Sequence, residues 1–102
     1  MTHSSDESLK SSLRRGEILW VLKDEYPHLM MVPHLRRELA ERLLHIPSKE
    51  LFQYLAYLDE AGLLRREWGN KNPETDNPLA VGLTKNGVLL CEGCANDEGV
   101  LA

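Results

Sequence analysis

No apolar run in this 102-residue chain approaches the roughly 18 to 20 residues that cross a bilayer as a helix, so no membrane-spanning helix is expected. The opening MTHSSDESLK has no apolar core of the kind a secretory signal needs, which points to a cytoplasmic protein. Cysteine is scarce: Cys91 and Cys94 sit in CEGC, too close together to staple distant parts of a fold. Stability must come from packing. Basic charge is short as well. A net charge of −4 and a pI near 5.5 argue against a protein that coats nucleic acid indiscriminately, because phosphate neutralisation supplies most of that affinity. Site-specific binding stays open, and several of the 12 Lys and Arg residues come as pairs: Arg14–Arg15, Arg36–Arg37 and Arg65–Arg66.

Motifs of catalysis are missing too. There is no glycine-rich phosphate loop, GxSxG or HExxH, and His3, His28, His34 and His45 are scattered along the chain. The chain reads as a non-enzyme. CEGC is the one recognisable ligand pair, but tetrahedral zinc needs four donors and neither a second CxxC nor an HxxxH accompanies it. As a redox pair it lacks the βαβ surroundings of a thioredoxin-like site. No metal or cofactor is expected. The two cysteines read as reduced thiols at a helix end, with metal or redox sensing as the alternative.

What is present fits one small domain: 42% hydrophobic and 27% charged residues are ordinary for a globular chain with a single core. Residues 1–8 offer little to bury and read as a disordered leader, residues 9–93 as the domain, and residues 94–102 as a C-terminal tail. A first helix is expected from about Leu9 to Glu25, with Leu13, Ile18, Val21 and Leu22 inward and the Tyr26-Pro27 step ending it. Trp20 falls between its faces. With the terminal Val100 and Leu101 it is the candidate dimer contact, because these apolar groups exceed what so small a core covers.

A short link, His28–Met31, leads to a second helix opening near Val32 with Pro33 in its first turn, where a missing amide proton is harmless. Leu35, Leu39 and Leu43 form its expected buried stripe, and Arg37–Glu41 and Glu38–Arg42 are opposite-charge pairs on its outer side. His45-Ile46-Pro47 turns the chain into a third helix, a helix-turn-helix arrangement.

The richest stretch is Ser48–Leu64, SKELFQYLAYLDEAGLL. Leu51, Leu55 and Leu58 share one helical face with Tyr54 at its edge, Ser48 is the expected N-cap, and Gly62 the stop. A strand at Leu63–Trp68, the turn-rich GNKNPETDNP and a second strand at Leu79–Leu83 make a hairpin wing. In the second strand Ala80 and Gly82 alternate with larger residues, so one face is expected to pack and the other to be bare. Thr84 caps a short last helix carrying Val88, Leu89 and Leu90. The fold expected is α+β: a three-helix core, a two-stranded hairpin and a short C-terminal helix.

The run YLAYLDEAGLLRR resembles the recognition helix and first wing strand of ArsR- and MarR-like winged helix regulators, whose usual text is a leucine, three residues, a Leu-Glu pair, then Gly-Leu. With LTKNGVLLCEG and a terminal Gly-Val, YLDEAGLL resembles more closely small winged helix proteins encoded in Mu-like prophages. The resemblance covers about Arg15 to Val100. It implies a winged helix-turn-helix transcription regulator that binds double-stranded DNA sequence-specifically as a homodimer, encoded by a phage or prophage. Carried onto this sequence, the reading positions are Lys49, Phe52, Gln53, Ala56 and Tyr57 on the third helix, with Arg65, Lys71 and Asn70 or Asn72 on the wing. Gln53 suits a bidentate contact to adenine, and Lys49 a phosphate or guanine. The chain departs from the family where regulators usually place Ser, Thr or Arg: it has Glu50, Phe52 and Tyr57, with Glu60 on the same side. Glutamate repels phosphate. The alternative is therefore a winged helix protein-interaction (adaptor) module without DNA binding, anchored by Phe52 and Tyr57.

Overall fold

A computed structural model describes residues 2–102, with side chains described from Ser8 onward. The first helix, α1, runs Thr2–Lys23, starting ahead of the expected Leu9 and stopping short of Glu25. Its opening holds Ser, Asp and Glu but neither proline nor glycine, so nothing there interrupts a helix anchored by buried residues further along. Ser12, Gly16 and Leu19 fall at i, i+4 and i+7 and face inward beside Ile18, Val21 and Leu22. Leu13 is consequently turned out and 48% exposed, against expectation, and Leu19 takes an inner place that was not foreseen.

Helix α2 spans Val32–Glu41 with Pro33 in its first turn, and Val32, Leu35 and Leu39 are buried. Leu43 does not continue the stripe. The helix stops before it, and Leu43 stands in the left-handed conformation at φ 64°, 83% exposed. The Leu43 amide donates to the Ala40 carbonyl at 2.9 Å and the Leu44 amide to that of Leu39 at 2.9 Å. This is the paired closure that usually puts glycine at Leu43's position. The expected outer ion pairs also rearrange: Glu38 faces His34 at 3.6 Å, and Arg42 reaches Glu17 of α1 at 3.0 Å.

Helix α3, Ser48–Glu60, buries Leu51, Tyr54, Leu55 and Leu58. Its N-cap is Pro47 rather than Ser48, because the Pro47 carbonyl already accepts from the Leu51 amide at 2.9 Å and the helix so begins one residue early. Gly62, at φ 77°, closes the far end, with the Leu63 amide donating to the Leu58 carbonyl at 2.9 Å.

Strands β2 (Leu64–Glu67) and β3 (Ala80–Leu83) are antiparallel, Leu64 opposite Leu83 and Glu67 opposite Ala80. A strand absent from the sequence reading, β1 (Met30–Met31), pairs with the other edge of β3, giving the order β1-β3-β2. Two residues carry too little alternation to announce a strand. As the central strand β3 is buried throughout, so neither face is bare: a Cβ at Gly82 would meet Leu29 Cδ2 at 2.9 Å and the His28 carbonyl oxygen at 3.2 Å. Thr84 caps α4 (Lys85–Cys91) by accepting from the Gly87 amide at 3.2 Å, and its hydroxyl donates to the Gly62 carbonyl at 2.6 Å, joining the end of α3 to the start of α4.

The fold is thus α+β, with four helices and a small three-stranded antiparallel sheet around one core among the described residues. Among the described residues, no helix is long and apolar enough to cross a membrane. The last residues return to the body: Val100 is 5% exposed within the core, and the Leu101 amide donates to the Ser12 carbonyl at 3.0 Å. Val100 is therefore an internal packing residue, which corrects its assignment as a dimer contact. Leu101 and Trp20 remain open to solvent, at 48% and 38%.

Candidate nucleic-acid interface

The buried leucines of α3 fix which residues point away from the core. Lys49 and Gln53, four apart, are exposed along its outer crest, followed by the half-buried Ala56. The crest stands between two shallow grooves. One, about 460 Å³, lies toward α1 and is lined by Lys10, Ser11, Arg14 and Tyr54 among others. The second, about 500 Å³, lies toward the wing loop, where Asn77 faces Lys49 and Phe52. Gln53 borders both.

Two of the residues that set this helix apart from a regulator's, Glu50 and Tyr57, have their polar groups engaged within the molecule, while Glu50 still lines the groove toward α1 beside Gln53. Glu50 accepts hydrogen bonds from the Tyr54 hydroxyl and from Arg14 of α1. The Tyr54 bond first, with Arg14 adding to it, holds its carboxyl below the usual glutamate range. The Tyr57 hydroxyl donates to Asp97 Oδ1 at 2.8 Å, an engagement that raises its pKa, with burial adding to the shift. Arg15 lies over the Tyr57 ring at 4.0 Å and donates to the Gly99 carbonyl at 2.9 Å. Tyr57 is thus held half-buried, its hydroxyl engaged by the chain's own C-terminal segment. Phe52 is half-buried and packs against the core. Glu60 is the carboxylate left exposed on α3. The Glu50–Arg14 and Tyr57–Asp97 pairings were not legible in the sequence, since these partners lie 36 and 40 positions apart, whereas Glu50 and Tyr54 stand at i,i+4 on one helix.

The wing loop is braced by its own side chains. Asn72 Oδ1 accepts from the Glu74 amide at 2.9 Å, Asp76 Oδ2 from the Asn72 amide at 3.0 Å, and the Trp68 indole donates to the Asp76 carbonyl at 2.9 Å. Lys71 is exposed on this braced loop, next to exposed Asn70, while Asn72 is spent on the brace. Arg65 is exposed on β2, but its guanidinium donates to Glu67 Oε2 at 2.8 Å, so part of its charge is offset. Arg66, which the sequence offered only as half of a basic pair, donates to Asp59 Oδ2 of α3 at 2.8 Å and lies over Trp68 at 5.0 Å. It ties the wing to the crest helix.

Cys91 is buried and Cys94 exposed, both free, and burial pushes the Cys91 thiol up. Among the described residues, no three or more His, Cys, Asp or Glu side chains gather as metal ligands. Chemically, the crest offers an amide with both donor and acceptor, one ammonium beside it and another on the wing. That set can hydrogen-bond a base edge and two phosphates. No protein-family model, curated protein or solved structure matches this chain.

Proposed function

We propose that this protein is a winged helix-turn-helix regulator that binds double-stranded DNA sequence-specifically in the cytoplasm, with α3 in the major groove and the β2–β3 wing on the flanking backbone. The order helix, strand, two helices, hairpin is compatible with that fold, and the sequence likeness to small Mu-like prophage proteins agrees with it. One observation carries the reading. Glu50 and Tyr57, which argued for an adaptor, are engaged by Arg14 and Asp97, leaving Lys49 and Gln53 outward. A ridge with a groove on each side suits a major groove about 12 Å wide bordered by two phosphate strands. The exposed apolar residues of α1, Leu9, Leu13 and Trp20, together with Leu101, are the face through which the protein forms a homodimer.

Titrating the protein against the DNA upstream of its own gene, at low and moderate salt, tests this. A complex that survives unrelated competitor DNA is expected. Absence of any complex even at low salt would contradict it and favour the adaptor reading.

A further inference from the structure

A second cationic site lies away from the crest, in a cavity of about 530 Å³ between α2, the start of α3 and the turn joining them. Its polar lining is Arg36, Arg37 and His45, set among apolar residues such as Ala40 and Leu51, and among the described residues no carboxylate lines it. Every other arginine of the chain has an oxygen partner: Arg14 with Glu50, Arg15 with Gly99, Arg42 with Glu17, Arg65 with Glu67 and Arg66 with Asp59. Arg36 and Arg37 have none among the described residues, and the expected Arg37–Glu41 pair is not formed. Among the described residues, Arg36 Nη1 is wholly buried without a hydrogen-bond partner; Arg15 Nε is too, but the Arg15 guanidinium also has the Gly99 carbonyl on its Nη1. With the Arg36 nitrogen shut off from solvent, the cavity gathers the side chains of Arg36, Arg37 and His45 with no carboxylate among its described lining, a set suited to an anion. Pro47, the N-cap of α3, also lines the cavity, and no side chain caps that helix, so the positive end of its dipole borders the same space.

We propose that the Arg36–Arg37–His45 cavity is a binding site for a phosphate group. Planar guanidinium donors match the phosphate oxygens, and the group comes either from the DNA backbone beside α3 or from a free phosphate ester.

The test uses the full chain and two probes, inorganic phosphate and a duplex of its own upstream DNA, followed by NMR signals of the Arg36 and Arg37 side chains and the His45 ring. Inorganic phosphate should move these signals saturably. Arg37→Ala, at an exposed position that does not threaten folding, should weaken binding about tenfold or more, as loss of a charge-assisted hydrogen bond does. Arg36→Gln should do the same. If the duplex moves the same signals, phosphate competes with it and Arg37→Ala lowers the salt slope by about one, the backbone is the source. If phosphate moves them and the duplex does not, the site takes a free phosphate ester. Signals that stay still at high millimolar phosphate, or that shift equally in both folded variants, overturn the proposal. Should the upstream DNA still bind while the cavity stays silent, only this inference falls and the DNA-binding reading stands.

Discussion

Leu43 is the non-glycine residue with positive φ among those described, and its side chain is almost fully solvated. A left-handed L-residue costs about 1–2 kcal/mol, while glycine adds about 0.5–1 kcal/mol of chain entropy in the unfolded state. Leu43→Gly should therefore stabilise the protein by about 0.5–1 kcal/mol, read as a rise in thermal midpoint of a few degrees. A lower midpoint would mean that Leu43 packs on something. Leu43 also shows why periodicity misled: the i, i+4 spacing from Leu39 continues past the point where the helix ends, and no glycine marks that end. Gly62, where the marker is present, was legible. Gln53 and Lys49 were legible for a related reason, since an outward position on a helix follows from its buried face alone. The inward turn of Glu50 and Tyr57 was not, because it depends on α1 and on the C-terminal segment.

Of the elements, α2, α3 and the hairpin follow from apolar spacing, a first-turn proline and a turn-rich loop. The short β1 and the docking of residues 97–101 do not. Polar composition made residues 94–102 read as a tail, yet this segment crosses α1 where Gly16 leaves room for the Leu101 backbone, and it is fastened to α3 through Asp97 and to α1 through Gly99. Its contribution is measurable. Val100→Ala should destabilise the protein by about 2 kcal/mol, through lost burial and a residual cavity. Tyr57→Phe should cost about 1 kcal/mol by leaving Asp97 without its donor. Urea denaturation gives both values, and amide exchange at Leu101 should quicken in each variant. Unchanged stability in both would show that the segment only rests on the surface.

Across the whole molecule, acidic residues outnumber basic ones, but charge is not spread evenly. Arg14, Arg42, Arg65 and Arg66 are matched by carboxylates, whereas Lys49 and Lys71 form no ion pair among the described residues. A negative chain can therefore still leave cationic groups unmatched, at Lys49 and Lys71 as at Arg36 and Arg37. The exposed apolar Leu13 and Trp20 of α1 line a different groove with Leu101, and Lys10 and Arg14 border both that groove and the one beside α3. Light scattering at micromolar concentration should give a dimer of the 11.6 kDa chain, and Trp20→Ala should shift it toward monomer. A monomer in both cases would contradict the assembly.

The most direct test of the α3 crest as a DNA reader is a salt-dependent titration of upstream DNA by Gln53→Ala and Lys71→Ala beside the unaltered protein. Loss of about 1–3 kcal/mol of sequence preference is expected for Gln53→Ala. For Lys71→Ala, uniformly weaker binding to all sequences is expected, with a salt slope smaller by about one. If both variants bind every sequence as the unaltered protein does, α3 and the wing do not read DNA.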